Sequence, residues 1–406
     1  MNIYDVVIIG GGISGLFSAY KIQKLCPETS ILLLEKKSFL GGRMDTYNFY
    51  NTTVNMGAGI GRKEKDGILI KLLNELQIDY NEYSIDMKYS DTIHMNDTNT
   101  IYSDIDVTRT IALLKQKYNK KEFTKYTFQK YAKHILGTTA YKLFVTKLGF
   151  SDFEEADAFD VLHYYGLDDN IKGATGLSIP WSLLIKKISD KIGFKKIKLS
   201  SEVTSLESYS EHFIVNTVKS TFVTKKVIIA STIDTVRRLL PTFTIYNQVH
   251  GQSFLRVYGK FTKPIPELTV YTIVPGPLKK IIPIKSKEGI YMIAYSDNED
   301  AKWLNKYSKN NAKNRDFYCT LIQEALGLHG STLELTAIKA FYWEIGTHYY
   351  EPLKKEYKNR VDFINQAQHP CKNVLVVGEM IAIHQGWSLG ALESVDSVVS
   401  SKWIGC

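Results

Sequence analysis

Cysteine is scarce in this sequence of 406 residues, and long hydrophobic runs are missing. The four cysteines show no CxxC pair and no metal-ligand spacing, and they are too few for a disulfide scaffold, so we expect a reducing compartment. No stretch reaches the roughly 18 to 20 apolar residues that a membrane-spanning helix needs. The amino terminus also lacks the basic segment that opens a secretory signal peptide. We therefore expect a cytoplasmic protein without a transmembrane segment.

Charge of one sign is not concentrated anywhere along the chain. Lysine and arginine number 51 against 42 acidic residues, which gives a net charge of +9, but the basic residues are scattered. Because no dense basic block carries interleaved aromatic residues, we expect no nucleic-acid partner. The sequence also shows no Ser/His/Asp or metal-ligand constellation. With 44% hydrophobic residues the chain is expected to fold, into two or three domains at roughly 150 residues each.

The first fifty residues contain the strongest pattern in the sequence. A short apolar run, Val6–Ile9, predicts a buried strand that leads into Gly10-Gly11-Gly12-Ile13-Ser14-Gly15. Helical spacing follows over Leu16–Leu25, and then come a second apolar run, Ile31–Leu34, and the acid Glu35. A strand, a GxGxxG turn, a helix, a second strand and an acid 20 residues after the last glycine are the fingerprint of a dinucleotide-binding unit.

Each residue type in this fingerprint has a physical reason. Gly10 permits the tight turn, Gly12 lets the backbone approach a pyrophosphate, and Gly15 lets the helix pack closely on the strand. The amino terminus of the helix, which includes Ser14, offers N–H groups and the positive end of the helix dipole to the phosphates. Glu35 can accept hydrogen bonds from both ribose hydroxyls and would repel a 2′-phosphate. We therefore expect all five residues to contribute to the cofactor site.

The next motifs separate flavin from nicotinamide cofactors. Gly41-Gly42-Arg43 follows Glu35 within eight residues, and Asn55-Met56-Gly57-Ala58-Gly59 forms another glycine-rich turn. With these motifs the chain resembles the flavin-dependent amine oxidase family, which includes monoamine, polyamine and L-amino-acid oxidases. The resemblance implies that the arginine lies against the phosphate and ribose of FAD, and that the second turn passes the flavin ring. The residues that receive these roles are Gly42, Arg43, Gly57 and Ala58.

The carboxyl terminus resembles the second flavin motif of that family. Val374–Val377 predicts a buried strand, followed by Gly378-Glu379 and then by Gln385-Gly386-Trp387-Ser388-Leu389-Gly390-Ala391-Leu392-Glu393-Ser394. A strand again ends in a glycine-rich turn, and a helix begins with its dipole toward the ligand. In the family the glutamate binds the ribitol of FAD. The residues that receive cofactor contacts by this resemblance are Gly378, Glu379, Gly386, Trp387 and Leu389. Two such motifs require the chain ends to meet in space.

Two weaker strands complete the expected cofactor domain. Ser201–Leu206 resembles the strand that touches adenine through the backbone of a valine, here Val203, and Lys226–Ala230 resembles the strand that returns to the cofactor domain. The resemblance implies an α/β fold with a Rossmann-type FAD-binding domain and a discontinuous α+β substrate domain. We assign residues 1–80, 195–245 and 370–406 to the FAD-binding domain, and residues 81–194 and 246–369 to the substrate domain.

The substrate domain is expected to combine a sheet with a helical insertion. Helical spacing over Thr108–Tyr118 and Glu122–Phe150 predicts the insertion. Alternating segments at Phe254–Phe261, Tyr271–Val274 and Ile290–Tyr295, punctuated by prolines, predict the strands.

Five residues are candidates for the catalytic side of the site. Trp387 stands where the family often places an aromatic wall of the substrate cage, and His348 and Tyr349 fall in the region of the opposite wall. Arg256 stands at a position where many amine oxidases carry a lysine that holds a water near flavin N5. Arginine there can bind a carboxylate or change how the water is held. Arg62 resembles the arginine that clamps the substrate carboxylate in amino-acid oxidases.

The resemblance implies an FAD-dependent oxidoreductase that acts on an amine or amino acid. A hydride passes from the substrate to the flavin, the imine is hydrolysed, and dioxygen reoxidises the flavin to give hydrogen peroxide. We expect FAD to be bound noncovalently, because no cysteine lies near Gly346–Tyr350, where covalent members of the family attach it.

Two alternatives remain open at this point. A C–C dehydrogenase of the carotenoid or protoporphyrinogen type shares both flavin motifs, and the arginine at the usual lysine position mildly favours it. The other alternative is a flavoprotein without net oxidation, either a redox-neutral sugar mutase or a protein that retains FAD structurally. The GGR motif counts against a mutase, because mutases often carry GGN there.

Overall fold

The computed structural model describes residues 3–95, 105–167, 173–330 and 332–406. Within these residues the first sheet has seven strands, and we call it the parallel sheet because its central strands pair in parallel. Six strands follow one another across the sheet in the order Val203–Tyr209, His212–Thr217, Thr221–Ile229, Ile3–Ile9, Ile31–Leu34 and Ile197–Lys198. The seventh, Val374–Val376, also pairs with Thr221–Ile229.

The apolar runs of the sequence form the centre of this sheet. Residues Val6–Ile9 and Ile31–Leu34 are at most 4% exposed. Strands of a parallel sheet are apolar on both sides because helices cover both faces. One face carries the helices Ile13–Leu25, Gly67–Glu75, Trp181–Ile192, Ser388–Asp396 and Ser401–Ile404, and the other face carries Ile233–Leu239 and Arg360–Gln368.

The two ends of the chain meet, as the paired motifs require. Ile3–Ile9 and Val374–Val376 both pair in parallel with Thr221–Ile229. The helices that follow these strands are also in contact, because the Ser14 hydroxyl donates a hydrogen bond to the Ala391 carbonyl at 3.1 Å. The structure therefore confirms that the opening and closing turns lie side by side.

A second sheet, which we call the antiparallel sheet, forms the other half of the molecule. Across the described residues its six strands follow the order Leu335–Tyr350, Val249–Phe261, Ile290–Asp297, Lys280–Lys285, Tyr271–Ile273 and Met87–Tyr89. The helices Asn298–Asn305 and Ala312–Leu326 share a core with it. The three strands expected in this region are confirmed, with bounds that differ by a few residues.

The expected helical insertion is present and is divided into short helices. These are Val107–Lys117, Lys120–Phe123, Phe128–Leu136, Thr138–Leu148 and Ala158–Asp160, the last of which continues into a π-helical turn over Val161–Tyr165. The long helical segment of the sequence breaks at Gly137, whose φ of 79° is unsuited to a helix interior. The smaller elements are the hairpin Thr46–Phe49/Thr52–Asn55, the strands Gly61–Arg62, Asn81–Ser84 and Thr175–Ser178, and the helix Thr92–Met95.

A disulfide joins Cys26, at the end of the first helix, to Cys406. The cysteine spacing did not indicate this pair, because 380 positions separate its members. A disulfide is unusual for the reducing compartment that the cysteine count predicts. In the part of the chain that the structure describes, no helix has both the length and the hydrophobicity to cross a membrane.

Candidate active site

A cavity of about 1580 Å³ lies between the two sheets, and we call it the principal cavity. The opening glycine turn, the closing turn, the antiparallel sheet and the helical insertion all contribute to its walls. The sequence-predicted site residues that line it are Gly10, Gly12, Ser14, Glu35, Gly42, Arg43, Gly57, Ala58, Val203, Arg256, Gly378, Glu379, Gly386 and Trp387. The structure thus brings both flavin-type motifs and the middle strand to one space.

The glycines of the opening turn differ in what surrounds them. Gly10 has a φ of 109°, and a Cβ there would overlap the Ala230 carbonyl. A Cβ on Gly15 would overlap the Gly10 carbonyl, so Gly15 serves helix packing and does not line the cavity. Gly12, by contrast, would place a Cβ in open space with nothing within 4 Å. Gly12 therefore leaves an open cradle at the amino terminus of the helix.

Glu35 lies at the end of the cavity beside the opening glycine turn, and it also stabilises that turn. Its carboxylate accepts hydrogen bonds from the backbone N–H groups of Gly11, at 2.6 Å, and Lys37, at 2.8 Å. A carboxylate offers about four lone-pair positions, so acceptor capacity remains for ribose hydroxyls. Val203 lines the same end, where its carbonyl accepts a hydrogen bond from Arg238 at 2.8 Å.

Glu379 is a buried centre of hydrogen bonding behind the flavin-type motifs. Its Oε1 accepts from the backbone N–H groups of His348, at 3.0 Å, and Gly386, at 2.8 Å. Its Oε2 lies 2.8 Å from Nδ1 of His348 and 3.2 Å from the Arg43 guanidinium. Burial by itself raises the pKa of Glu379, but His348, Arg43 and the hydrogen bonds outweigh it and hold the pKa at about 2. The carboxylate therefore stays ionised and ties the GGR motif to the closing turn.

The structure does not bring His348 and Tyr349 to the principal cavity. The His348 imidazole is 3% exposed and is bonded to Glu379, so it positions that carboxylate. Tyr349 stacks on His250 with ring centroids 5.2 Å apart. Both residues line a separate, much smaller cavity. The residues of the same strand that do line the principal cavity are Gly346 and Thr347.

Trp387 lines the cavity as expected, but Arg62 lies behind it. The Arg62 guanidinium stacks on the Trp387 ring, 3.9 Å from its centroid, and pairs with Asp66 at 2.7 Å. Arg62 is 3% exposed and is not part of the cavity wall. This placement indicates a supporting role for Arg62, beneath the aromatic wall, in place of contact with a substrate carboxylate. Leu389 is likewise buried in the helix core and does not line the cavity.

Arg256 lies in the cavity wall against the second glycine-rich turn. A Cβ on Gly59 would stand 2.8 Å from one of its guanidinium nitrogens, so the guanidinium packs directly against this turn. The guanidinium also lies 4.6 Å from the ring centroid of Tyr295, which faces Arg256 on the neighbouring strand. Arg256 is 4% exposed, and its Nε has no hydrogen-bond partner.

Two ionisable residues in the wall were not found from the sequence. Asp152 accepts hydrogen bonds from Tyr165 and, at 3.2 Å, from the Thr347 hydroxyl. Burial, with a smaller contribution from Asp297, raises the pKa of Asp152 to about 7. Burial lowers the pKa of Lys280 to about 8. Both lie in segments without a motif, so no sequence signal pointed to them.

Comparison with known proteins agrees with this architecture. A profile of the NAD(P)-binding Rossmann-like domain matches residues 8–76. Among solved structures, a double mutant of putrescine oxidase aligns over 99% of both chains with a TM-score of 0.76 and 14% identity. The chain has the fold of the flavin-dependent amine oxidases. A protein from Exiguobacterium assigned as a protoporphyrinogen oxidase shares this amine oxidase fold, over 100% of both chains, with a TM-score of 0.72 and 15% identity.

The curated relatives match only a short segment. An uncharacterized protein, R188, of Acanthamoeba polyphaga mimivirus is 38% identical over 55 residues, which cover 14% of this chain and 11% of that protein. The FAD-containing monooxygenase EthA of Mycobacterium tuberculosis is 44% identical over 45 residues, which cover 11% and 9% of the two chains. The chain thus matches about a tenth of the length of these relatives. The expected α/β fold with a Rossmann-type domain is confirmed by the family profile and the solved structures together.

The residues of the principal cavity fit an FAD molecule in the amine oxidase fold. The open cradle over Gly12 would leave room for a pyrophosphate, and Glu35 would offer an acceptor to ribose hydroxyls. Arg43 and the closing turn line the same continuous space. None of the four cysteines, all of which the structure describes, lines the cavity, which is consistent with noncovalent binding.

Proposed function

We propose that the protein is an FAD-dependent oxidoreductase that oxidises the C–N bond of an amine or amino acid. The observation that carries this proposal is the continuity of the principal cavity from Gly12, at the nucleotide turn, to the buried charges of Asp152 and Lys280. A dinucleotide at one end would share a single space with a charged aromatic pocket at the other. The likeness in fold to putrescine oxidase, over nearly the whole of both chains, supports this class of reaction.

The walls of the pocket suit the orientation of a small substrate. FAD held there would supply the redox chemistry, in which a hydride leaves the substrate and dioxygen takes up the electrons to give hydrogen peroxide. Trp387 supplies one aromatic wall, and Phe254 and Tyr295, with ring centroids 4.8 Å apart, supply another. Such surfaces orient an amine and exclude water from the reacting carbon.

Asp152 is suited to take a proton from the substrate. An ammonium must become neutral before a hydride can leave the adjacent carbon, so the site needs a proton acceptor. Asp152 lines the cavity, and Tyr165 and Thr347 hold its carboxylate in place. Because burial raises its pKa to about 7, this carboxylate can accept and release a proton near neutral pH.

Anaerobic bleaching of the bound flavin tests the proposal. We expect at least one member of a panel of small amines and amino acids to bleach the flavin, and readmitted air to restore its colour with formation of peroxide. Asp152→Asn should slow bleaching, whereas Asp190→Asn, at an exposed helix position, should not. Protein that binds no FAD, or flavin that no amine reduces, would overturn the proposal.

A C–C dehydrogenase is a second candidate, favoured by two specific observations. The protein from Exiguobacterium assigned as a protoporphyrinogen oxidase aligns with the whole of this chain. In addition, arginine occupies position 256, where the resemblance to amine oxidases implies a lysine. Flavin that a porphyrinogen or a polyene reduces in the presence of lipid vesicles, but that amines leave oxidised, would establish this candidate.

A further inference from the structure

Two buried cations stand together in the wall of the principal cavity. Arg256 and Lys280 are 4% and 7% exposed, and both line the cavity. The Arg256 guanidinium carbon and the Lys280 Nζ each lie 4.6 Å from the centroid of the Tyr295 ring. The two cations therefore share the Tyr295 ring, and Lys280 also lies near the rings of Phe150, at 4.9 Å, and Tyr271, at 5.7 Å.

Neither cation has an acidic partner in the part of the chain that the structure describes. No carboxylate oxygen lies within 4.0 Å of Arg256 or Lys280, and Nε of Arg256 has no hydrogen-bond partner at all. Buried charges are ordinarily paired, because the cost of removing an ion from water is several kcal/mol. Two buried cations without a carboxylate in contact thus leave a place in this wall for an anionic group from outside the chain.

The two nearby acids are engaged elsewhere. Asp297 accepts hydrogen bonds from the backbone N–H and the hydroxyl of Ser151, at 2.7 and 2.5 Å, and lies 3.8 Å from the Lys279 ammonium. Asp152 accepts hydrogen bonds from Tyr165 and Thr347. Of these two acids only Asp152 lines the cavity, so with Arg256 and Lys280 this part of the wall carries two cations against one acid.

We propose that Arg256 and Lys280 form a carboxylate subsite, and that the substrate is an amine that also carries a carboxylate. This inference rests on the proposed oxidation of a C–N bond and narrows its substrate class. The planar guanidinium can donate two parallel hydrogen bonds to a carboxylate, and the ammonium adds a third donor. Both cations would repel a second ammonium, so the subsite disfavours simple diamines.

Binding of benzoate compared with benzamide tests the subsite without turnover. The two probes have nearly the same shape, but only benzoate is an anion. In isothermal titration of the flavin-loaded protein we expect benzoate to bind at least about tenfold more tightly than benzamide. Lys280→Met and Arg256→Met should each weaken the binding of benzoate roughly 10- to 100-fold, as expected for loss of a hydrogen bond to a charged group. The affinity for benzamide should stay unchanged.

Lys285→Met is the matched control. Lys285 stands at the other end of the same strand, Lys280–Lys285, where its side chain is 49% exposed, so its loss should leave benzoate binding unchanged. If Arg256→Met does not fold, Lys280→Met and the comparison of the two probes still decide the question.

The outcome separates this inference from the proposed function. Flavin content, read from the visible absorbance, and flavin bleaching by amines report on the proposed function. Benzoate affinity reports on the subsite. Equal affinity for benzoate and benzamide, or wild-type benzoate affinity in Lys280→Met, would overturn the carboxylate subsite even in protein whose flavin is reduced by amines.

Discussion

A substitution at Gly12 is expected to weaken binding of the proposed cofactor without affecting the stability of the fold. Gly12→Ala adds one methyl group at a position where nothing lies within 4 Å, and the backbone there, at φ −73° and ψ 179°, suits any residue. Alanine is a poorer helix cap than glycine, but it also reduces the entropy of the unfolded chain. These two effects are each below or about 1 kcal/mol and have opposite signs. We therefore expect the free energy of unfolding of the apoprotein to change by less than about 1 kcal/mol.

The same methyl group enters the space in which a pyrophosphate would lie. A hydrogen bond from a backbone N–H to a charged group contributes about 1.5 to 3 kcal/mol. Displacement of the phosphate that breaks one such bond should raise the Kd for FAD roughly 10- to 100-fold. The Kd is measured by titrating the apoprotein with FAD while following flavin fluorescence, and folding is checked by thermal melting without FAD.

Gly67→Ala is the matched control for this prediction. A Cβ on Gly67 also meets nothing within 4 Å, but Gly67 opens the helix Gly67–Glu75 and does not line the cavity. The Kd of the Gly67→Ala protein for FAD should equal that of the wild type. Gly12→Ala protein that melts like the wild type and binds FAD with the same Kd would show that no dinucleotide lies over this turn.

Three further predictions concern buried contacts. In Gly15→Ala the new Cβ would overlap the Gly10 carbonyl, so urea unfolding should show a loss of about 1 to 3 kcal/mol or more; an unchanged midpoint would contradict this packing. Glu379→Gln should lower the free energy of unfolding at pH 7 by about 1 to 3 kcal/mol, because it removes the carboxylate that the buried His348 and the partly exposed Arg43 contact. The pKa of Glu379 is lowered in the folded state from 4.5 to about 2, so this stabilisation is present above pH 4.5 and is lost as the pH falls through 2. The difference between wild type and variant should therefore shrink in acid, and a difference independent of pH would refute the assignment. Arg62→Ala leaves Asp66 buried without this partner, so the melting temperature should fall and reaction with amines and amino acids should decline equally. A decline confined to amino acids would instead support the carboxylate clamp that the sequence suggested.

The nucleotide end of the site was predictable because its signals are local. Val6–Ile9 and Ile31–Leu34 are apolar runs that need burial on both faces, and glycine at positions 10 and 15 is required by backbone contacts within the same turn. A local rule of this kind can be read from a few consecutive residues. The meeting of the chain ends was predictable for a related reason, because each end carries half of one cofactor motif.

The substrate end was not predictable in the same way. Asp152, Lys280 and Arg256 lie on three separate elements, and only the folded chain places them around one cavity. The sequence also could not show that the Arg62 guanidinium would be taken by Asp66, or the His348 imidazole by Glu379. A charged residue near a motif is therefore a weak guide to a substrate contact, because a buried partner elsewhere decides where its side chain lies.

The hydrogen bonds of the site connect its two ends through one strand. Glu379 binds Arg43 on the cofactor side and the backbone of His348 in the strand Leu335–Tyr350. The preceding residue of that strand, Thr347, donates to Asp152, the proposed proton acceptor. A displacement of Glu379 would therefore shift the cofactor contact and the proton acceptor together. For this reason Glu379→Gln should impair both FAD affinity and the rate of flavin reduction, whereas a change confined to Asp152 should slow reduction and leave FAD affinity unchanged.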